Sequence, residues 1–343
     1  MCKYSVGVAC GLEYLSVSRV YIIVVNWNGW NDTIECLESL LVLEYPDFRI
    51  VVCDNGSHDD SVIKLREWCE RTRGCGSTDW QVISRDAAEN GVGFQDAKFT
   101  LVTNGANLGF GGGTNVGLRY ALACGDAKYC WLLNNDTVVE ALALTKMVER
   151  LNEKPDASMC GSTVREYGNH LKIQALGGAT YYKWLGIAWH IGRTINGYVL
   201  PDQALVENNM DYVVGVSLLV RSEYLQEVGL MAEDYFLYFE EIDWVSRGLG
   251  CYTLAYAADS IVYHKLGASV GTAANPMRKS YQCDYYTLRN RLLFTRRYYP
   301  YALPGVYVGL VGELIVRLLL GRWDLAGMIC RLIKNGGNEA ELS

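Results

Sequence analysis

The sequence predicts an α/β fold with a mostly parallel sheet flanked by helices, and further helices at the C-terminal end. Short apolar, β-branched runs alternate with longer segments of helical character, which is the pattern of strand–helix–strand units. The run Tyr129–Leu133 carries no charge, so it predicts a strand buried on both faces. Three polar residues, Asn134-Asn135-Asp136, follow it directly. Because ligands bind at the carboxyl ends of the strands in such sheets, this stretch indicates a binding site.

Length and composition are those of a large globular domain. Half of the 343 residues are apolar, which is enough for a sizeable core. The net charge of -7 argues against a nucleic-acid partner. This charge is unevenly distributed. From Lys265 onward there are 11 Lys+Arg and 5 Asp+Glu, a local net charge of +6, so residues 1–264 carry -13. The 12 cysteines form no C-x-x-C pair, so we predict neither a zinc site nor a disulfide framework and expect reduced thiols in the cytosol.

The N-terminal end and the hydropathy of the chain carry little targeting information. The apolar stretch within residues 1–19 is too short for a signal peptide, and we expect an irregular leader there. No run of 18 uninterrupted apolar residues occurs, so no clear membrane span is predicted.

Two strand–helix units open the main domain. Val20–Asn26 predicts a strand, and Asn31-Asp32-Thr33 predicts the cap of a helix that ends near Leu43. Phe48–Cys53 predicts the second strand, and residues 59–71 the second helix. Residues 74–98 are glycine-rich and polar, so we predict an irregular insertion.

A glycine cluster follows the third predicted strand, Phe99–Thr103. The stretch Asn107–Gly117 (NLGFGGGTNVG) fails the dinucleotide fingerprint, because Thr114 and Val116 stand where a third glycine is required. We predict instead a glycine loop that enters a helix over residues 114–123. Such a loop lets the phosphates or sugar of a nucleotide approach the backbone closely.

Polar side chains are predicted to meet at one edge of the sheet. Asn26, Asp54, Asn107 and Asp136 each follow a predicted strand, and together they outline a nucleotide pocket. Asp54 can accept a hydrogen bond from a pyrimidine N–H, and Trp27 can stack on the base, with ordinary packing as the alternative. Asp136 is predicted to meet a divalent cation or a ligand hydroxyl; the alternative is that its segment only caps the next helix.

The middle of the chain is harder to interpret. A helix over residues 138–152 and a strand over 157–162 are predicted, and Asp211–Arg221 predicts one buried strand. Residues 164–208 are rich in glycine and aromatic side chains without a period. Those rings could stack on sugars or fill a core.

Three carboxylates stand within four positions after an aromatic stretch (YFLYF). A helix start needs only one anion near its dipole, so this excess indicates a function. Asp243 and Arg247, at i and i+4, are predicted to pair. Glu240 or Glu241 is then left to act as a general base, since a carboxyl beside apolar rings can have a raised pKa. A solvated acidic helix start is the alternative.

His264 lies downstream of this acidic cluster, after a predicted strand over residues 251–257. Its neutral imidazole could complete the coordination of a metal held by Asp136. The alternative is a structural histidine.

Seven motifs in one order resemble those of the family 2 glycosyltransferases with a GT-A fold, specifically their bacterial rhamnosyltransferase-like branch. They are VVNWNG, VVCDNGSHDDS, NLGFGGGTNVG, WLLNNDT, FLYFEEIDWVSRG, YHKLGAS and YYTLRN. The resemblance covers residues 20–297. It implies a GT-A catalytic domain, which we place at residues 20–284, and inverting transfer of a sugar from a nucleotide diphosphate.

The same resemblance implies roles for individual residues. Asp54 would read the base, Asn134 would lie near the ribose, and Asp136 would bind Mg²⁺ or Mn²⁺ with the help of His264. Glu241 takes the place of the catalytic base, beside Glu240. The other expected donor-binding residues are Asn26, Trp27, Asn107, Gly109, Asn115 and Asn135, and the residues expected to contact the acceptor or support the site are Asp243, Trp244 and Arg247. The Asn-Asn-Asp triplet supplies one acidic ligand, and a glutamate at the base position reaches one methylene further than the usual aspartate.

Residues 285–343 are predicted to form a basic, amphipathic helical extension. The stretch Leu303–Gly321 is apolar except for Glu313 and Arg317, which are spaced to pair at i and i+4. Its broad apolar face predicts contact with a membrane interface, and the nearby basic residues suit anionic headgroups: Arg322, Arg331 and Lys334. Helices that cover the catalytic domain or a homodimer partner are the alternative.

These observations lead to a functional hypothesis. We expect a cytoplasmic enzyme, peripheral on the inner face of the cell membrane, that adds a sugar to a lipid-linked or glycan acceptor of a surface polysaccharide. dTDP-rhamnose is the first donor guess and a UDP-sugar the second. Two alternatives stay open. One is a sugar nucleotidyltransferase, which would need a basic side chain near the triphosphate, and residues 104–118 contain no Lys or Arg. The other is a non-catalytic carbohydrate-binding or assembly protein of the same fold.

Overall fold

A computed structural model of the chain describes residues 18–74, 76, 78–92, 96–265 and 280–337. Residues 1–17 of the predicted leader and the end of the YHKLGAS motif lie outside the described residues. The strands are β1 (Val20–Asn26), β2 (Phe48–Asp54), β3 (Trp80–Ser84), β4 (Phe99–Thr103), β5 (Tyr129–Asn134), β6 (Thr137–Val139), β7 (Ala157–Glu166), β8 (Asn169–Leu176), β9 (Gly178–Tyr182), β10 (Ile187–His190), β11 (Tyr212–Val213), β12 (Ser217–Arg221) and β13 (Thr253–His264).

The helices lie between these strands and after the last of them. They are α1 (Trp30–Leu40), α2 (Ser61–Arg73), α3 (Arg85–Glu89), α4 (Gly109–Cys124), α5 (Ala143–Glu153), α6 (Gln203–Glu207), α7 (Ser222–Glu227), α8 (Glu240–Arg247), α9 (Tyr281–Tyr298), α10 (Leu303–Leu319) and α11 (Trp323–Asn335).

A ten-stranded sheet organises the described residues, with the order β3-β4-β2-β1-β5-β12-β7-β13-β6 and with β8 beside β7. The first five strands run parallel, β12 is antiparallel to both its neighbours, and β7 and β13 are parallel to each other. The mostly parallel α/β sheet predicted from the sequence is therefore confirmed.

The central strand β5 is buried on both faces, as predicted. Because successive side chains of a strand point to opposite faces, Trp131 and Leu133 join one apolar core while Cys130 and Leu132 join the other. Helices α1, α2 and α5 close the first core, and α4, α7 and α8 contribute to the second.

The register aligns the carboxyl ends of the central strands. Asn26 lies opposite Asp54, and Asp54 lies opposite Thr103, while Val25 pairs with Asn134. The polar residues that end these strands therefore reach one edge of the sheet, which is the arrangement that the sequence predicted.

Two predictions for the first half of the chain are wrong in detail. Residues 74–98 contain β3 and α3; the short run Trp80–Ser84 forms an edge strand beside β4, and its glycine-rich surroundings hid it. Helix α1 begins at Trp30 without a side-chain cap. The side chain of Thr33, part of the predicted cap, does not cap the helix. Its hydroxyl donates instead to Asn26 Oδ1 at 2.7 Å.

Three predictions about helix starts and strands are also corrected. The glycine cluster lies inside α4, which begins at Gly109. Thr137 enters the short strand β6, and α5 starts only at Ala143, because β6 pairs with β13 at the edge of the sheet. The stretch predicted as one strand at 211–221 is broken at Gly215 into β11 and β12, which belong to two different sheets.

The C-terminal helices form a third apolar core with one another, around Leu292, Val306 and Met328. Arg317 of α10 is turned inward, where its guanidinium pairs with the buried Asp284 of α9 at 2.9 Å and with Glu313 at 3.0 Å. The predicted i, i+4 pair is thus present. The charged residues of α10 face the protein, which leaves its outward face apolar.

One stretch among the described residues, Pro300–Leu319, is long and apolar enough to cross a membrane, with a mean hydropathy of 1.7. We predicted no span because Glu313 and Arg317 interrupt the apolar run. The inner side of this helix packs on α9 and α11.

Candidate active site

Asp54 ends β2 in a network of polar side chains. Its Oδ1 accepts hydrogen bonds from Asn26 Nδ2 at 2.8 Å and Ser57 Oγ at 2.6 Å, and its Oδ2 accepts one from Ser57 N at 3.1 Å. Asn26 is fully buried and also accepts from Thr33. Asn26 therefore orients the Asp54 carboxylate. Trp27 is half-buried next to it, and its indole N–H has no hydrogen-bond partner among the described residues.

The glycine turn at the start of α4 is held by Asn55, a buried residue that the sequence analysis did not single out. Its Nδ2 donates to Asn107 Oδ1 at 3.1 Å and to Gly109 O at 2.9 Å. Gly109 has φ +73°, and a Cβ there would lie 2.2 Å from Phe236 O. Only glycine fits this approach, because both the backbone conformation and the space exclude a side chain. Asn55 stands in the DNGS motif, but nothing in the sequence showed which loop it would bind.

Asn115, a predicted donor-binding residue, bonds to the segment that follows α7. Its Nδ2 donates to Met231 O at 2.9 Å and to Glu233 Oε1 at 2.8 Å, and its Oδ1 accepts from Met231 N. Its amide therefore holds the segment at 231–233 against α4.

The residues after β5 meet the end of β13. Asp136 Oδ1 lies 3.1 Å from His264 Nε2, and both side chains are buried. His264 Nδ1 lies 2.8 Å from Gln174 Oε1 on β8, a contact that no sequence signal predicted. Asn135 donates to Thr33 Oγ1 at 3.0 Å, and Asn134 is half-buried at the strand end. Two residues far apart in the chain are thus neighbours, as the sequence analysis expected.

No cluster of three or more His, Cys, Asp or Glu side chains able to hold a metal occurs in the described part of the chain. Asp136 and His264 together offer one carboxylate and one imidazole. A metal at this position would need further ligands, such as phosphate oxygens or water.

Glu241 lies at the start of α8 and reaches the turn between β11 and β12. Its Oε1 accepts from Gly215 N at 3.1 Å, and a Cβ on Gly215 would lie 2.1 Å from that oxygen. In the same turn, Val216 O accepts from Asn134 N at 3.1 Å. Adjacent residues of one turn therefore link Glu241 to the end of β5, and the acidic pair lies on the same edge of the sheet as Asn134.

The two glutamates have different surroundings. Burial raises the pKa of Glu241. Burial, followed by the negative charge of Glu241, raises the pKa of Glu240 well above its usual range. Neither oxygen of Glu240 has a hydrogen-bond partner among the residues that the structure describes. Burial therefore favours the neutral form of both carboxyls, and the charge of Glu241 adds a second effect that favours the neutral form of Glu240.

Asp243, Trp244 and Arg247 make the contacts of structural support. Asp243 Oδ2 pairs with Arg247 Nε at 3.1 Å, as the i, i+4 spacing predicted. Its Oδ1 accepts from Arg297 at 2.9 Å and from the Tyr298 hydroxyl at 2.9 Å, both on α9. Trp244 donates its indole N–H to Gly229 O at 2.8 Å.

Comparison with known proteins identifies the family and the fold. The family model described as glycosyl transferase family 2 matches residues 21–227, more than half of the chain. The low-salt glycan biosynthesis hexosyltransferase Agl10 of Haloferax volcanii is 21% identical over 244 residues, which cover 69% of this chain and 64% of that protein. This chain thus spans less than two thirds of that relative's length.

Two solved structures are similar in fold. The mannosyltransferase PcManGT of Pyrobaculum calidifontis, in complex with GDP-Man and Mn²⁺, superposes with a TM-score of 0.53 at 16% identity and covers 93% of this chain and 85% of its own. GalNAc-T7, with UDP, GalNAc and Mn²⁺, gives a TM-score of 0.55 at 12% identity and covers 80% of this chain and 48% of its own. The rhamnosyltransferase-like branch stays a prediction. The chain belongs to the family 2 glycosyltransferases and has the GT-A fold.

Proposed function

We propose that this chain transfers a sugar from a nucleotide diphosphate to an acceptor hydroxyl and inverts the configuration at the anomeric carbon. The observation that carries the proposal is the position of the Glu241 carboxyl, which Gly215 N binds next to the end of β5. β5 leads directly into Asp136, which contacts His264. A general base and a carboxylate able to hold a cation therefore share one edge of the sheet.

The nucleotide would lie along the polar edge. Asp54 Oδ2 accepts one bond, from Ser57 N, and a carboxylate oxygen has room for a second, such as one from a base N–H. Trp27 would lie against the base, with Asn26 behind Asp54. The start of α4, next to Asn107 and Gly109, would present the positive end of the helix to the diphosphate, while the N–H groups of Gly109 and Phe110 are bonded to Asn107 and Phe236.

A divalent cation fits Asp136 and His264. Asp136 Oδ1 and His264 Nε2 lie 3.1 Å apart, so one carboxylate oxygen and one imidazole nitrogen would together hold the ion. A mixed carboxylate and imidazole pair suits Mn²⁺ at least as well as Mg²⁺. The Mn²⁺ in both solved neighbours supports a cation in this fold. When bound, the ion would neutralise charge on the departing diphosphate.

The chemistry left to the chain is proton removal and positioning. The acceptor oxygen forms a bond to the anomeric carbon from the face opposite the diphosphate, and the bond from that carbon to the phosphate oxygen breaks. The hydroxyl proton passes to Glu241, while the leaving diphosphate takes the electron pair. Glu240 would keep its proton in this step, because burial and the charge of Glu241 both raise its pKa, and a second buried charge beside Glu241 would be avoided.

The donor is proposed to be dTDP-rhamnose, with a UDP-sugar second, and the acceptor a lipid-linked or glycan hydroxyl. The motif resemblance supports the first donor. A hydrolysis screen of purified protein with dTDP-, UDP- and GDP-sugars, with and without Mn²⁺ or Mg²⁺, tests the proposal. We expect one nucleotide diphosphate to be released, faster with metal. Absence of release from every donor, with and without an acceptor glycan, would contradict it.

The same screen separates the two alternatives. A nucleotidyltransferase would form pyrophosphate from a nucleoside triphosphate and a sugar phosphate, and would release no diphosphate from a nucleotide sugar. A carbohydrate-binding protein would turn over no donor and show no metal-dependent affinity for a nucleotide diphosphate.

A peripheral position on the inner face of the cell membrane is also proposed. Several apolar side chains on the outward side of α10 and next to it are exposed, among them Val308 at 70%, Leu319 at 82% and Trp323 at 70%. The inward orientation of Arg317 removes the main polar obstacle from this face. Arg322 follows the end of α10, and the exposed Arg331 and Lys334 lie on α11; their positive charge would suit anionic headgroups.

Replacing Val308 and Leu319 together with aspartate is expected to release the protein from anionic vesicles. Burial of each side chain contributes about 1.5–3 kcal/mol, so vesicle affinity should fall at least tenfold. Co-sedimentation with phosphatidylglycerol vesicles measures this. Ile63→Asp, at an exposed apolar residue of α2, is the matched control and should bind like the parent. If the parent does not bind vesicles and elutes as a dimer in size-exclusion chromatography, while the double variant elutes as a monomer, this face is a homodimer interface.

A further inference from the structure

The segment before α8 adopts a backbone conformation that its residues do not prefer. Phe236, Tyr238 and Phe239 have φ angles of 65°, 68° and 77°. Positive φ is rare for residues other than glycine, and for bulky aromatic residues it is an outlier. Such a conformation persists only where the surroundings hold it, and it is concentrated at functional sites.

One side chain of α9 holds this turn. Asn290 Nδ2 donates to the carbonyl oxygens of Tyr235 at 2.8 Å, Leu237 at 2.8 Å and Tyr238 at 3.0 Å. The amide is fully buried. Its Oδ1 accepts from Arg289 Nη1 at 2.8 Å, which fixes the NH₂ group toward the turn. Two amide hydrogens thus serve three carbonyls of the strained segment.

The turn touches both halves of the candidate site. At one end, Phe236 O accepts from Phe110 N at 2.7 Å and lies against Gly109, in the glycine turn of α4. At the other end, Phe239 in the left-handed conformation is the residue from which α8 starts, so it sets the direction of Glu240 and Glu241.

We infer that Asn290 is a positioning residue for the transfer reaction: its amide clamps the 235–239 turn and thereby places the Glu241 carboxylate against Gly215 and the acceptor. The inference rests on the proposed function. It also makes α9 part of the catalytic unit, although the sequence analysis assigned Asn290 to the extension. The motif YYTLRN contains this residue, but its partners lie about fifty positions away in the chain.

A set of Asn290 variants tests the inference. Asn290→Leu removes the amide at similar volume, Asn290→Asp replaces donors with acceptors, and Asn290→Gln keeps the amide. A misplacement of about 1 Å can cost 10²-fold in rate, so we expect the Leu and Asp variants to lower kcat about 10²-fold. The Gln variant should stay within about tenfold of the parent. Donor affinity, measured by titration, should change much less than kcat.

The control is Tyr298→Phe, which removes another hydrogen bond between α9 and α8, from the Tyr298 hydroxyl to Asp243, and leaves the turn intact. It should keep kcat within about twofold. The pH profile adds a second readout: in the Leu and Asp variants Glu241 loses its enclosed position, and the acid limb of kcat should move to lower pH. A purely structural role would lower the melting temperature without moving that limb.

The outcomes separate the two proposals. If the parent turns over no donor, the proposed function fails. If the parent is active and the Asn290 variants keep its kcat and its acid limb, the positioning role is overturned. Should Asn290→Leu not fold, the Asp and Gln variants carry the comparison, and equal kcat values for those two would reject the role.

Discussion

Replacement of Glu241 with glutamine is expected to lower kcat by about 10²–10⁴-fold, the usual contribution of a general base. Glutamine keeps an Oε1 that can accept from Gly215 N, so the fold and donor binding should survive. The measurement is transfer rate at saturating donor, together with a titration of donor affinity. Unchanged activity would remove Glu241 from the mechanism.

Glu240→Gln is the matched control for this prediction. Glu240 is fully buried without a hydrogen-bond partner among the described residues, and burial together with the charge of Glu241 raises its pKa. Because its surroundings favour the neutral form, an uncharged side chain of equal size should change kcat far less. A larger loss in the Glu240 variant than in the Glu241 variant would exchange their assignments.

The pH profile of the parent follows from the same surroundings. A base must be deprotonated, so activity falls as pH drops through its pKa. Burial raises the pKa of Glu241, which places the acid limb of kcat at higher pH than an ordinary carboxyl would. The pH profile of kcat measures this limb, and the Glu240→Gln variant should keep a single acid limb, because the surroundings of Glu240 favour its neutral form.

Replacement of Asp136 with asparagine is expected to abolish the metal dependence of donor binding. The amide keeps the size of the side chain and its place beside His264, but it removes the anionic oxygen that a divalent cation prefers. Loss of groups that only orient metal ligands costs 10–100-fold in affinity, so loss of the ligand should cost at least as much. Titration of the nucleotide diphosphate with and without Mn²⁺ gives the ratio of affinities.

Asp54→Asn provides the contrast. Asp54 is hydrogen-bonded to Asn26 and Ser57 and does not contact His264. Loss of its carboxylate should therefore lower the affinity for the nucleotide by the same factor with and without metal. The ratio of the affinities measured with and without Mn²⁺ should equal that of the parent protein. An Asp136 variant that keeps the parent's ratio would place the cation elsewhere.

Local sequence was sufficient for the features that depend on near neighbours. The charge-free run at 129–133 could only be a buried strand, and the β-branched run at 20–26 needed no partner to be recognised. Polar residues directly after such runs must lie at the sheet edge, because a strand and its exit are continuous. That rule placed Asn26 and Asp54 correctly at the edge, and Asp136 follows the last residue of β5, Asn134, by two positions.

Tertiary structure decided the contacts that make these residues a site. Gly215 N donates to Glu241, Gln174 contacts His264, and Asn290 donates to the turn before α8. The two partners of each contact are dozens of residues apart in the sequence. No local pattern reports such pairings, because a buried hydrogen bond depends on which segments fold onto each other. The amino-acid sequence by itself determined the sheet, its polar edge and the candidate groups. Only packing decided what surrounds each carboxyl of the Glu240–Glu241 pair and which helix holds the turn before them, since burial and hydrogen-bond partners exist only in the folded chain.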